Sequence, residues 1–401
     1  MNKIITINHQ FVLFALVIMI SASFGCNGAN DSNQASQSAG GSAHFRNDRV
    51  AVGGYHSCGI TLSGALKCWG LNADGRVGNK TETGDQLSPV AIDRGSTYSQ
   101  ISAGESHTCG ITGTGIVKCW GSDSTGQLGN GSTTGDQVAP VEIASDSDTT
   151  YSQIAAGGHH TCAITSAGVL QCWGSDGNGQ LGNGPTSVNL SSPIVVDEGT
   201  LYSRIAAGDR HTCGITSTGI LKCWGSDTNN QIGNGTGTVD QNDPVEIDRG
   251  TSYSQISAGY HHTCGITTGG VLKCWGKNYS GQLGDGSTGG EEALPVEIDR
   301  GTTYSLIAAG TNHTCGITST GILKCWGHQN FGALGNGLTG GLEGSPVEID
   351  RGTQYSQLAT GDRTTCAITV EGDFKCWGRN TNGQIGDGST NDGSYPIPIS
   401  F

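Results

Sequence analysis

The sequence predicts an all-β fold: a seven-bladed β-propeller of four-stranded antiparallel blades, with one intrablade disulfide per blade. Three observations carry this. A Cys-x9-Cys-Trp-Gly segment recurs seven times, with its tryptophans at Trp69, Trp120, Trp173, Trp224, Trp275, Trp326 and Trp377, a spacing of 51 residues with one step of 53. A fixed period of this size marks a repeat architecture. Each repeat holds four short β-prone runs punctuated by Gly-rich turns. Both faces of the expected sheets are apolar, which sheets stacked around an axis satisfy and a two-layer sandwich of 28 strands does not.

Composition agrees. Of 401 residues, 68 are Gly and 13% are charged, so long helices are disfavoured. The net charge of −14 argues against nucleic acid as a partner, because a phosphate backbone needs a basic face. At the N-terminus, Lys3 precedes an apolar run of ten residues, Phe11 to Ile20, too short to span a bilayer. Ser23-Phe24-Gly25-Cys26 follows and resembles the bacterial lipoprotein box, whose Cys is lipidated. Fourteen of the fifteen cysteines belong to the repeats and Cys26 is the one left over. Residues 1–26 are therefore expected to be a lipoprotein-type signal ending at Cys26. Residues 27–46, rich in Ser, Ala, Gly and Asn, read as a flexible tether reaching roughly 25 Å. Residues 47–401 form the propeller, with repeats at about 47–97, 98–150, 151–201, 202–252, 253–303, 304–354 and 355–401. The implied location is the outer membrane or cell surface, alternatively free secretion, with membrane contact only through the anchor.

Repeat five shows the four strands. Tyr253 to Ala258 is followed by a Gly-x-x-His turn, then by His262 to Thr267. The three-residue loop Thr268-Gly269-Gly270 ends in a glycine suited to the left-handed region, as does the equivalent loop of every repeat. Val271 to Trp275 is the third strand and Pro295 to Ile298 the fourth. If Thr267 opposes Val271, then Ile266 opposes Leu272 and Cys264 opposes Cys274, on one face of the blade. Trp275 and Gly265 fall on the other. The fourth strand lies between two blades in sequence and is free to join either. Joining the following blade, Pro396 to Phe401 would complete blade one and tie the termini together.

The opposed cysteines predict disulfides Cys58–Cys68, Cys109–Cys119, Cys162–Cys172, Cys213–Cys223, Cys264–Cys274, Cys315–Cys325 and Cys366–Cys376. Metal-binding pairs are spaced more closely. The motif histidines His56, His107, His160, His211, His262 and His313 form a ring, with Thr364 in blade seven. Blade spacing near 10 Å is too wide for one ion, so these rings are expected to hydrogen-bond the turn or the next blade. The Gly-Gln-Leu-Gly loops lack calcium-loop spacing and carry no phosphate-loop lysine. No nucleophile elbow or metalloprotease helix is present. A non-enzyme without cofactor or metal is expected.

The recurring Ala-Gly-x-x-His-Thr-x-x-Ile-Thr-x-x-Gly-x-x-x-x-Trp-Gly-x-x-x-x-Gly-Gln-Leu-Gly pattern resembles the repeat of the regulator of chromosome condensation family. It covers residues 49 to 401 seven times over. The resemblance implies a seven-bladed propeller, and the paired cysteines resemble exported bacterial members. It also offers guanine-nucleotide exchange as an alternative function; an enzyme acting on envelope polysaccharide is another.

Strand direction puts the Gly-x-x-His turns and the long loops at one end, called the top, and the hairpins and Asp-Arg-Gly connectors at the bottom. Bottom sequences are monotonous and top sequences diverge. Recognition usually sits in variable loops on a rigid scaffold. The expected function is a cell-envelope or secreted scaffold that binds a protein or glycan partner through its top face and acts as a monomer. Expected contacts are Tyr55, Glu105, His159, Asp209, Arg210, Tyr260, His261, Tyr279, Asn312, Phe331, Asp362 and Arg363, because Tyr and Arg dominate interface energetics.

Overall fold

In the computed structural model, residues 49–133 and 135–401 are described. Cys26, the signal and the tether lie outside the described residues. Twenty-eight strands make seven four-stranded antiparallel sheets, each in simple sequential order. In blade five the strands are Tyr253–Ala258, His262–Thr267, Leu272–Lys277 and Glu291–Glu297. The hairpin sets the expected register, pairing Cys264 with Cys274 and Ile266 with Leu272. All seven disulfides form, with Cα atoms 4.0–4.1 Å apart.

The fourth strand joins its own blade in every repeat. Gly393–Pro398 pairs with Phe374–Gly378, so Pro396 to Phe401 does not complete blade one. Strand four is thus the outer edge of each sheet. Pro89, Pro140, Pro193, Pro244, Pro295, Pro346, Pro396 and Pro398 all sit on these edges, where a missing donor costs little and blocks pairing with another chain.

The core lies between blades, in seven clusters. One contains Cys264, Ile266, Leu272 and Cys274 of blade five with Tyr304 and Trp326 of blade six. The disulfide face of each blade packs on the tryptophan face of the next. The long loop reinforces this contact. Gln231 O accepts both Trp275 Nε1 (3.0 Å) and Thr263 Oγ1 (2.7 Å) from the following blade. Thr263 Oγ1 lies 2.9 Å from His211 Nε2. Since the threonine gives its proton to the carbonyl, it accepts from the histidine, which fixes the Nε2–H tautomer. Burial drives this imidazole down to about 3, helped by neighbouring His160, His261 and His262. The same His–Thr stitch links the first six blades to their successors.

The seventh interface closes the ring differently. Thr364 replaces the histidine and Ser57 the threonine, although Gln384 O still accepts Ser57 Oγ (2.8 Å) and Trp69 Nε1 (2.9 Å). Gly386 permits this approach: its φ is +87°, and a Cβ there would lie 2.6 Å from Trp69 Nε1. Six blades begin strand one with a tyrosine that rests against the motif glycine or alanine of strand two, as Tyr98 does at Gly110. Blade one has no such tyrosine. Phe401 fills the slot at Gly59, stacked on Phe374 (4.0 Å) and edge-on to Trp69 (5.5 Å). The termini are tied by an inserted ring in place of a shared strand.

Inner strands face a central channel. Their backbone donors are met by the preceding blade: Gln100 Oε1 accepts Ile154 N–H, and Ser102 Oγ accepts Ala156 N–H. At the bottom, the connector aspartates are structural. Asp248 accepts Tyr253 Oη (2.8 Å) and Lys273 Nζ (2.6 Å), and Asp93, Asp197, Asp299 and Asp350 repeat the triad.

Candidate functional site

Six Gly-x-x-His turns and the Gly361-Asp362-Arg363-Thr364 turn of blade seven surround the top mouth of the channel. Each turn is closed by its own backbone, for example Gly259 N–H to His262 O at 2.8 Å. A second backbone bond joins neighbouring turns at six of the seven steps; among the described residues the step from Asp209 to Gly259 lacks it. Tyr260 N–H donates to Gly310 O at 3.2 Å and Thr311 N–H to Gly361 O at 3.1 Å, with Asp362 N–H to Gly53 O at 3.4 Å across the ring closure. This run of amides makes the two middle residues of a turn different. The first is fixed at the mouth. The second presents its carbonyl outward to the residue after Trp-Gly, as Arg363 O does to Arg379 N–H at 2.9 Å.

The mouth is a funnel of about 320 Å³ above a collar of Ala and Gly backbone. Of the expected contacts, Tyr55, Glu105, Asp209, Tyr260 and Asp362 line it. His159, Arg210, His261, Asn312 and Arg363 stand at the second turn position, on the rim. Phe331 joins them through Arg363, whose guanidinium lies 5.2 Å from its ring centre. Tyr279 does not converge; it stands exposed on the long loop of blade five, away from the funnel lining.

Charges at the mouth are arranged as neighbouring pairs. Glu105 faces His159 (3.5 Å), Asp209 faces Arg210 (3.3 Å), and Asp362 lies near both Arg379 (3.6 Å) and Arg363 (3.9 Å). Asp209 is buried, which raises its pKa; Arg210 opposes the shift and Glu105 adds to it. Tyr260 is likewise raised by burial and then by Asp209 and Glu105. His261, stacked edge-on to Tyr260 at 4.5 Å, is held down to about 4 by burial, Lys277 and Arg210. The mouth therefore carries neutral histidine at blade five, acid–base neighbours at Glu105–His159 and Asp209–Arg210, and two guanidiniums beside one carboxylate at blade seven.

Two further arginines belong to this surface and are absent from the expected contacts. Arg379 stacks 5.0 Å over Tyr55 and 5.5 Å over Phe331. Arg76 reaches Glu105 O at 3.1 Å. The signal for Arg379 was its column: the residue after Trp-Gly runs Leu71, Ser122, Ser175, Ser226, Lys277, His328, Arg379. Among the described residues no group of three or more His, Cys, Asp or Glu is placed to hold a metal.

Comparison with known proteins adds the following. Residues 22–351 match the RCC1-like domain, and residues 355–384 the regulator of chromosome condensation (RCC1) repeat. The chain is 33% identical over 363 residues to the ultraviolet-B receptor UVR8 of Arabidopsis thaliana, spanning 86% of this chain and 80% of the receptor. It is 31% identical over 314 residues to the mitochondrial RCC1 domain-containing protein RUG3 of the same plant, covering 75% and 69% respectively. Among solved structures, Prp20p of Saccharomyces cerevisiae superposes with a TM-score of 0.73 at 21% identity, covering 80% of this chain and 82% of that one.

Proposed function

The chain belongs to the RCC1-like propeller family, and from that premise we propose that it is an exported, non-catalytic scaffold that binds a protein or glycan partner through its top face. One observation carries the choice of face. The connector aspartates at the bottom are held in Asp–Tyr–Lys triads that hold the blades together, whereas the variable turn residues converge on one open funnel. Side chains free of structural duty on a rigid ring are what recognition uses. The family supports a binding role: Prp20p is described by its binding to Gsp1p and histones. Seven buried disulfides support an oxidising compartment, and the lipoprotein-like Ser23-Phe24-Gly25-Cys26 supports an envelope anchor.

The test is capture from envelope and culture proteins and glycans. Tyr260→Ala with Arg363→Ala is expected to abolish capture of whatever the wild type retains, at an unchanged melting temperature. Arg249→Ala with Arg300→Ala, both exposed on the bottom connectors, is expected to leave it intact. The reverse pattern would place the functional face at the bottom.

A further inference from the structure

We propose that Arg363 and Arg379, with Tyr55 and Phe331, form a carboxylate clamp on the top face that takes an acidic side chain of a peptide partner. The inference rests on the top-face reading and names the chemistry of one contact within it.

Blade seven is the only repeat with arginine both at the second turn position and after Trp-Gly. The two backbones are locked together. Arg379 N–H donates to Arg363 O at 2.9 Å, and Thr364 Oγ1, in the histidine's place, donates to Arg379 O at 2.9 Å. Both guanidiniums lie over the Phe331 ring, and Arg379 also over Tyr55. Stacking restrains a guanidinium through its face and leaves its edge donors free, which lowers the ordering cost of binding. Those donors are underused. Arg379 Nε donates to Thr381 Oγ1 at 3.1 Å, and the Arg363 side chain makes no hydrogen bond among the described residues. Asp362 sits at 3.6 and 3.9 Å, beyond hydrogen-bond reach.

Charge selects the ligand. Two guanidiniums against one carboxylate leave one positive charge, partly exposed: the Arg363 side chain is 38% accessible and that of Arg379 23%. His328 adds none, because burial and the nearby Arg363 lower its pKa, and its Nδ1 accepts the Asn330 N–H. One surplus charge matches a monoanion, and a planar fork matches a carboxylate. A chain of net charge −14 does not favour an extended polyanion. Phe331 offers an apolar surface beside the clamp for the methylenes of a Glu or Asp residue. Its own backbone has φ +61°, a conformation aromatic residues rarely adopt, so the ring is held in place by the loop around it.

The experiment is calorimetric titration of the purified full chain with tetraglutamate at low ionic strength, with tetragalacturonate and tetralysine as comparators. Wild type is expected to bind tetraglutamate saturably. Arg363→Gln with Arg379→Gln should weaken it by roughly ten- to a hundredfold, the loss expected for charged hydrogen bonds. Arg249→Gln with Arg300→Gln should not. Arg363→Lys with Arg379→Lys keeps the charge without the fork and should fall between, which separates clamp loss from misfolding. No tetraglutamate binding, equal binding by the Gln pair, or a preference for tetragalacturonate or tetralysine would each overturn the clamp. Because the probe is a defined peptide, failure here leaves the capture experiment on the top face standing by itself.

Discussion

Replacing Asp123 and Asp227 by asparagine should stabilise the domain at neutral pH. Both sit two residues after Trp-Gly, where blades one, five and seven carry Asn72, Asn278 and Asn380. Both are buried. One oxygen of each accepts a loop N–H, from Leu128 at 3.1 Å or Ile232 at 2.9 Å, and Asn278 makes the same bond to Leu283. The other oxygen of Asp123 has no hydrogen-bond partner among the described residues. Asn278 instead uses its second atom as a donor, to Asp285 Oδ1 at 3.0 Å and Ser287 Oγ at 2.7 Å. Burial raises both aspartates to about 6, with Asp136 adding at Asp123 and Asp240 with Glu291 adding at Asp227. A rise to about 6 corresponds to at most about 3 kcal/mol per site; screening near the loop surface reduces this to about 1 kcal/mol. The folded state holds the proton more tightly than the unfolded chain. Stability from each aspartate is therefore complete below the unfolded carboxylate value and is lost as pH rises through about 6. The double asparagine variant should gain about 2 kcal/mol at pH 7 and less as the pH falls towards about 4.5. Melting curves of both proteins across this range give the answer. No gain at pH 7, or a gain that grows on acidification, would refute the reasoning.

Three other outcomes are expected. Phe401→Ala empties the half-buried slot at Gly59 and should cost about 2–3 kcal/mol, below the value for a fully buried ring; an unchanged melting temperature would mean the C-terminal ring does not close the propeller. Intact mass of the exported protein should lack fourteen hydrogens relative to the reduced chain, two for each of the seven disulfides, and free thiols at these positions under non-reducing conditions would contradict the pairing. Cys26→Ala should move the protein from the detergent phase to the aqueous phase; equal partitioning of both forms in water would mean free secretion.

Legibility in the sequence followed the range of the interaction. The disulfide register was readable because a three-residue hairpin fixes it locally, and the alternation of Cys and Trp faces followed from that register alone. The home of strand four was not. Its neighbours in sequence are a variable loop on one side and a short connector on the other, and neither sets a register with a partner. The aromatic closure left a trace all the same. Aligning Gly53 with Gly104 places Asn47 where the other repeats have tyrosine, and a missing ring in a buried slot requires a substitute. At the top, turn position separates funnel residues from rim residues with one exception: Tyr55 stands at the second position and still lines the funnel. Tyr279 looked equivalent to Phe331 because both are loop aromatics, yet only Phe331 meets an arginine from the next blade.

Blade seven is where the repeat departs furthest from its pattern, and the departures are connected. A ring of near-identical blades would close by the His–Thr stitch at every interface. Thr364 breaks that stitch, and its hydroxyl instead fixes the backbone of Arg379. Two contacts then add to the closure bonds that Gln384 O and Asp362 N–H still make: Phe401 in the tyrosine slot of blade one, and Arg379 stacked across the interface on Tyr55. The second of these places a guanidinium at the mouth with donors to spare. The residue that helps join blade seven to blade one is thus also one that faces the partner. Binding at the clamp would bear directly on the one interface that lacks the stitch, so an acidic ligand should tighten ring closure as well as occupy the top face.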